Sequence, residues 1–501
     1  MSDSTISRRY FFYGATLAAA VPASLKALGY KSPNEKLNLA AIGAGGQPAS
    51  DLRIAHGGVE NVVALADVDW ERGQDSFKRF PGAAKYKDFR QMLDRHGKDI
   101  DAVVVGPPDH MHAACALACM QLGKHIYVEK PLTRTAWEAR LLWQAAEKYK
   151  VATQMGNQGY SHDATRVACE IIWSGEIGDV TEVHAWTGRP SWPQGMTQIP
   201  PSSPVPDTLD WDLWLGGASA RPFTNGDAPY TEFVTARNTR YGRTARDNFG
   251  FYLPFNWRGF YDFGSSLIGD WGVHILGPAN WALQLGPEHL RSVECVKKDS
   301  LPLFTFPDVL TIKYEFGPRP GMPPVTIYWY HHAGGDAYLP PGMPADEARK
   351  IPGQGPLVGP QGGQGGVARP PQNSGYNEIF VGSKGYLGTS GRGEGVGLLP
   401  GARWADYKLP APYLSRSPGA SAGSNHAAHC RDWIRACKGG APACSNFSIA
   451  AKYTEWLVLG AAAVHVEGKL LWDNAKGEFT NSREANKWVK PTFRKGWELK
   501  L

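Results

Sequence analysis

Cysteine is scarce: seven in 501 residues are too few for a disulfide framework in a chain of this length. Cys115 and Cys119 stand four apart on an expected helix, and Cys430, Cys437 and Cys444 recur every seven residues. The last three are read as lacking accompanying histidines at metal-ligand spacing. Buried free thiols are therefore expected, and no metal site. Strong charge of one sign is also missing. The net +6 is modest, and Arg8, Arg9, Lys26 and Lys31 against Asp3 place half of it in the first 32 residues. The other basic residues are scattered, which argues against a nucleic-acid partner. No apolar run reaches the ~18 residues of a membrane-spanning helix.

The N-terminus carries information of another kind. Ser7-Arg8-Arg9-Tyr10-Phe11-Phe12 precedes a moderately apolar stretch to Leu28, broken by Pro22 and Lys26. Paired arginines ahead of such a stretch resemble a twin-arginine export signal, so residues 1–33 are read as signal and linker. A periplasmic or otherwise exported location follows as an expectation. No small-x-small cleavage site stands out, which leaves retention as a membrane anchor open.

From Lys36 onward, buried strands alternate with helices. Lys36–Ile42 and Asn61–Ala66 read as strands around a helix at Gln47–His56. Ile100–Val105 and His125–Val128 follow as strands, with helices at His112–Leu122 and Leu132–Tyr149. This rhythm predicts an α/β domain over 34–158, a doubly wound parallel sheet of the Rossmann type. Beyond it, Val180–Thr187, Leu310–Phe316 and Val325–Tyr330 read as strands between long Pro-, Gly- and Trp-rich connections. A second α+β domain with a large, mostly antiparallel sheet is expected over 159–501, with loose Gly/Pro-rich loops at 317–375 and helices at Asn425–Lys438 and Ser448–Val466.

Gly43-Ala44-Gly45-Gly46-Gln47 lies between the first strand and its helix. Gly43 suits a tight turn, and a bare Gly45 lets a pyrophosphate approach the backbone. Gly46 and Gln47 open a helix whose free N–H groups face the phosphates. Asp67 ends the second strand, where an acid accepts from the ribose hydroxyls. Pro48 stands in place of the usual third glycine and fits a first helical turn. Arg72 leaves room for a 2′-phosphate and hence NADP; NAD is preferred because Asp67 repels that phosphate.

The stretch Asp101-Ala102-Val103-Val104-Val105, then Pro107-Pro108-Asp109-His110-Met111-His112, then Gly123-Lys124-His125-Ile126-Tyr127-Val128-Glu129-Lys130-Pro131-Leu132 resembles the glucose-fructose oxidoreductase/inositol dehydrogenase/rhizopine catabolism family. The resemblance implies that Lys130 reaches nicotinamide and substrate, that Glu129 lies against the cofactor, and that the turn from Pro108 to His110 flanks the nicotinamide. A lysine at the carboxyl end of a parallel strand faces the ligand crevice, where it is suited to exchanging a proton with a substrate hydroxyl. Asp270 and His274, four apart, are expected on one helix face, and they resemble the family's Asp-x-x-x-His. There the imidazole takes the hydroxyl proton while the acid orients the ring.

Asn157, Gln158, His184, Arg189, Trp257, Arg258 and Tyr261 are candidates for binding a sugar, polyol or glycoside through planar donors and aromatic faces. Trp211-Asp212-x-Trp214 resembles a segment of exported members, though a packed turn is the favoured reading. An exported dinucleotide enzyme has no free nicotinamide pool, so a tightly bound cofactor is expected to be reduced and reoxidised in one site. Two paired sugar reactions close that cycle. So does a redox-neutral glycosidase, although Asp270-Trp271-Gly272-Val273-His274 departs from the Tyr-Pro-Thr-His of known hydrolytic relatives. A non-catalytic sugar- and dinucleotide-binding protein is the remaining alternative, and the resemblance implies a homo-oligomer, dimer or tetramer.

Overall fold

The computed structural model describes residues 35–188, 192–240, 250–331, 338–345, 375–405, 407–416 and 425–501. Residues 1–34, with the expected export signal, and Arg189 lie outside the described residues.

Six parallel strands form the first sheet: β1 Asn38–Ile42, β2 Asn61–Ala66, β3 Ala84–Tyr86, β4 Ala102–Val105, β5 His125–Val128 and β6 Thr153–Met155, in the order β3-β2-β1-β4-β5-β6. This is the doubly wound order that leaves a crevice between β1 and β4, where the connections reverse direction. The central strands are apolar on both faces because helices cover both; Leu39, Ala40, Ala41 and Val103 to Val105 are fully buried. The short strands β3 and β6 add to those expected from the sequence. At three residues each, neither carries a period long enough to read.

Two helix starts differ from expectation, each for a local reason. The helix after β4 begins at Asp109 rather than His112, with Pro108 supplying the extended residue before it. The helix after β5 begins at Ala136 rather than Leu132. Thr135 and Glu138 form a reciprocal capping box there, Glu138 Oε2 accepting from the Thr135 N–H at 3.0 Å.

The second sheet has nine strands in the order β13-β12-β11-β7-β10-β9-β8-β14-β15. These are β7 Val180–Thr187, β8 Leu290–Lys298, β9 Leu310–Phe316, β10 Val325–His331, β11 Glu378–Gly382, β12 Gly385–Thr389, β13 Val396–Leu399, β14 Leu470–Asp473 and β15 Glu478–Phe479. Only the β7–β10 pair is parallel; the other neighbours are antiparallel. Within the expected loop region 317–375, β10 is a regular seven-residue strand; 332–337 and 346–374 lie outside the described residues.

Two C-terminal helices join the sheets. Phe447–Ala463 packs against Ala136–Tyr149, and Glu455 accepts from Arg140 Nε at 3.1 Å. Asn425–Cys437 places Cys430, Trp433 and Cys437 in the same buried cluster as Leu39, Ala41 and Val104. A segment some 270 residues downstream of β6 thus completes one face of the first core.

Candidate active site

A cavity of about 330 Å³ opens at the carboxyl ends of β1, β2, β4 and β5. Gly43, Gly45, Gln47, Pro48, Asp67, Pro107, Pro108, Glu129 and Lys130 line it from the first sheet, and Trp257 and Arg258 close it from the other side. The glycines are there for steric reasons. Gly43 has φ +85°, and a Cβ on it would sit 2.9 Å from the Gly106 carbonyl carbon. A Cβ on Gly45 would lie 2.4 Å from the Arg72 carbonyl oxygen. The helix Gly46–His56 then starts with no side-chain cap on its first N–H groups, leaving them for an anion.

Pro48 has a structural counterpart. Its ring packs where a Cβ on Gly106 would have to be, 2.6 Å from Pro48 Cβ. The close helix–strand approach, normally secured by a third glycine on the helix, is secured here by a glycine after β4. The Asp67 carboxyl caps the loop, accepting from Ala44 N at 2.7 Å and Asp69 N at 2.9 Å. Burial raises it to about 6. Both oxygens retain acceptor capacity, and Asp67 lines the cavity. These features fit a dinucleotide: a bare-backbone cradle, a free helix N-terminus and an acid at the end of β2.

Lys130 follows β5, and its side chain reaches across to the second half of the site. Lys130 Nζ donates to Asp270 Oδ1 at 2.7 Å and to the Asp270 carbonyl at 2.9 Å. Arg258 Nε donates to the same Oδ1 at 3.0 Å, while its guanidinium lies over the Phe255 and Trp257 rings at 4.1 and 4.2 Å. Burial pushes the Asp270 carboxyl up, but the Lys130 and Arg258 cations outweigh it and hold the group well below the usual carboxylate range. The result is a fixed anion that locates two cations.

Asp270 and His274 do not share one helix. The chain forms two short helices, Ser266–Asp270 and Gly272–Ile275, that meet at Trp271. The carboxylate is committed to Lys130 and Arg258, because two charge-assisted bonds outcompete one to a neutral ring. Asp270 is therefore not the orienter of His274, whose Nδ1 is buried with no hydrogen-bond partner. Burial, with the charges of Lys130 and Arg392 nearby, holds this imidazole well below its ordinary value. His274 is thus neutral at physiological pH, the form that accepts a proton.

The remaining candidates divide. Trp257 and Arg258 line the cavity. Asn157 is buried at the end of β6, its Oδ1 accepting from Ser445 Oγ at 2.5 Å and its Nδ2 without a partner. Gln158 is half-buried beside it. His184 does not belong to the cavity. It lies on β7, stacked on Tyr338 at 3.6 Å and Tyr328 at 4.9 Å between ring centroids, with Nδ1 bonded to the Tyr330 hydroxyl at 2.8 Å. Tyr261 is likewise outside, packed against Phe306, His465 and Trp488. His110 turns away from the cavity, its Nε2 bonded to the Trp214 carbonyl at 3.0 Å, and burial lowers it to about 3.

Asp109, its neighbour, faces the cavity instead. Ser265 Oγ donates to Asp109 Oδ2 at 3.1 Å, and burial raises this carboxyl to about 7 against the pull of Arg258 and Lys130. Sequence reasoning missed Asp109, although it stands inside the Pro-Pro-Asp-His segment. Leu213, Trp214 and the C-terminal Trp497 also line the cavity, so the Trp211–Leu215 helix is more than a packed turn. Arg494 anchors that tail by donating to the Gly216 carbonyl at 2.8 Å.

The fold and this crevice define a nicotinamide-dinucleotide-binding Rossmann domain joined to a large, mostly antiparallel sheet. Residues 37–157 match the family model described as an oxidoreductase family with an NAD-binding Rossmann fold. Among curated relatives, a levoglucosan dehydrogenase of Pseudarthrobacter phenanthrenivorans is 28% identical over 134 residues, 26% of this chain and 34% of that protein. An inositol 2-dehydrogenase of Saccharopolyspora erythraea is 31% identical over 152 residues, 30% of this chain and 44% of the relative. The matched stretch thus spans a third to under half of these relatives' own length. Among solved structures, the WlbA dehydrogenase of Bordetella pertussis with NADH and UDP-GlcNAcA aligns with a TM-score of 0.55 at 13% identity, covering 88% of this chain and 99% of that one. A levoglucosan dehydrogenase with NADH and levoglucosan aligns with a TM-score of 0.51 at 16% identity, covering 87% and 99%. At such identities the likeness extends to the fold of both sheets.

Proposed function

We propose that the protein is a nicotinamide-dependent oxidoreductase acting on a carbinol carbon of a sugar, polyol or glycoside. The observation that carries this reading is the placement of Lys130 Nζ. It lines the same cavity as the glycine cradle and is fixed at 2.7 Å by a carboxylate that Arg258 also holds. The bound nicotinamide supplies hydride chemistry; Gly43, Gly45, Gln47 and Asp67 are the residues that would hold its dinucleotide. Lys130 positions a substrate oxygen by a charged hydrogen bond, and neutral His274 takes up the hydroxyl proton. Trp257 offers an apolar face and Arg258 offers donors, a set suited to a neutral polyhydroxylated ring; Asn157 is outside the residues that line the cavity.

NAD is favoured over NADP because the Asp67 carboxylate lining the cavity would repel a 2′-phosphate, although Arg72 lines it too. We further propose that Arg8-Arg9 direct export of the folded chain, that the cofactor travels bound, and that it is recycled within the site. Denaturing the purified protein and identifying the released nucleotide tests both parts. Stoichiometric NAD supports the closed cycle, and paired sugars or model glycosides then separate oxidoreductase from redox-neutral glycosidase. A protein that binds neither NAD nor NADP overturns the reading. Lys130→Met that keeps cofactor and full biological activity would leave a binding protein.

A further inference from the structure

Behind the wall of the cavity, three side chains of metal-ligating chemistry converge from parts of the chain 375 residues apart. Asp51 lies on the helix Gly46–His56; His426 and Cys430 lie one turn apart on the helix Asn425–Cys437. A carboxylate oxygen of Asp51, a nitrogen of His426 and Cys430 Sγ all lie within 4.8 Å of one another. His426 Nε2 is in hydrogen-bond contact with Asp51 Oδ1.

The group is poorly satisfied without a further partner. Asp51 is fully buried; its Oδ1 accepts from Gln47 Nε2 at 3.0 Å, but its Oδ2 receives no donated hydrogen bond. Glu129, 6% exposed, presses its carboxyl against Asp51 and also has one oxygen, Oε1, with no donor. The Tyr127 hydroxyl beside them is buried, next to Gln158 and Cys430. Two carboxyls, a thiol and a phenol therefore face one another, and a half-buried imidazole is the one base among them. A buried carboxylate oxygen left without a donor costs free energy that a cation removes.

We propose that Asp51, His426 and Cys430 bind a divalent zinc ion, with Glu129 or water in the fourth position. One oxygen, one imidazole and one thiolate form a borderline-soft donor set that favours zinc over calcium or magnesium. Tetrahedral ligands at zinc bond lengths stand roughly 3.3–3.8 Å apart, so rotamer shifts of about 1 Å close the site. His426, with 22% of its side chain exposed, is the route of entry, and the Cys430 thiol proton leaves to solvent on binding. The ion would tie the first Rossmann helix to a C-terminal helix and so complete the core that the two share. It does no redox work, and its three named ligands lie outside the cavity wall, which Glu129 alone shares.

The test uses the full chain purified from zinc-supplemented medium. Elemental analysis is expected to find about one zinc per chain. Replacement by Co²⁺ is expected to give a thiolate-to-cobalt charge-transfer band in the near ultraviolet. Cys430→Ser should abolish the band, and His426→Gln should weaken zinc binding about tenfold or more, while Cys437→Ser should keep both. Should Cys430→Ser fail to fold by circular dichroism, the cobalt spectrum of the natural protein decides alone. A natural protein that holds no zinc and takes up neither ion on titration overturns the proposal. So does a zinc content unchanged in both His426→Gln and Cys430→Ser.

Discussion

Removing either partner of the Lys130–Asp270 pair is expected to cost stability and chemistry together, whereas removing both should cost less stability than the sum. The ion pair spans 2.7 Å, and its side chains are 15% and 8% exposed. At an effective dielectric near 20 the bare attraction is about 6 kcal/mol, much of it offset by desolvation of the two charges. Asp270→Asn leaves Lys130 and Arg258 as neighbouring, partly buried cations with no shared anion, a loss of about 3–5 kcal/mol. Lys130→Met leaves Asp270 paired with Arg258 and should fall at the lower end. For a chain near 500 residues the unfolding entropy is roughly 1 kcal/mol per kelvin, so Tm should drop by about 3–5 °C in Asp270→Asn. The double variant should recover about 2 kcal/mol relative to additivity, read by calorimetry on the same buffer and cofactor load. Both single variants should retain the dinucleotide while turnover falls about 10²–10⁴-fold. Additivity within about 0.5 kcal/mol would refute the view that Asp270 holds Lys130 in place.

Gly45→Ala puts a methyl 2.4 Å from the Arg72 carbonyl oxygen, so dinucleotide affinity by calorimetric titration should fall about tenfold or more, with Tm lowered as well. Asp109 is raised by burial to about 7 from 3.8, so the folded protein binds its proton more tightly than the unfolded chain does. Its penalty is absent below about pH 4 and grows to about 4 kcal/mol as pH rises through 7; Asp109→Asn should flatten the fall of Tm between pH 4 and 8. Asp67→Ala leaves Ala44 N and Asp69 N without their acceptor, costing about 1–3 kcal/mol, and the loosened loop should lose NAD affinity without gaining NADP. Deleting residues 491–501 removes Trp497 from the cavity wall and the Arg494 anchor, and should speed release of bound nucleotide in a stopped-flow chase.

The Rossmann half was legible because its signals are local. β2 and β5 run over the residues that periodicity indicates, and the glycine loop, Asp67 and Glu-Lys-Pro mark three strand ends by sequence alone. The long strands β7 and β9 of the second sheet fall on the residues expected of them, and β10 buries strictly alternate residues over its seven positions. What failed was inference about direction. His184 has the right chemistry, but it points to the face of β7 occupied by Tyr328 and Tyr338, and strand alternation cannot say which face meets the crevice. His110 and Asp109 are adjacent on one helix start, and only packing against Trp214 shows which of them turns inward.

Spacing misled for a different reason. Four residues between Asp270 and His274 suggest a shared helix face, but the helix breaks at Trp271 and the carboxylate follows charge rather than period. Lys130 and Arg258, 140 and 12 residues away, decide its orientation, and no local pattern contains them. The same holds with greater force for Cys430. Read along the chain it is set beside Cys437 and Cys444 while His426, four residues before it, is overlooked, and its third neighbour in the fold, Asp51, lies in the first turns of the protein's first described helix. Sequence spacing reports ligands when one element supplies them. Where two elements from opposite ends of the chain supply them, the cluster becomes visible only through the unsatisfied carboxyls it leaves in the core.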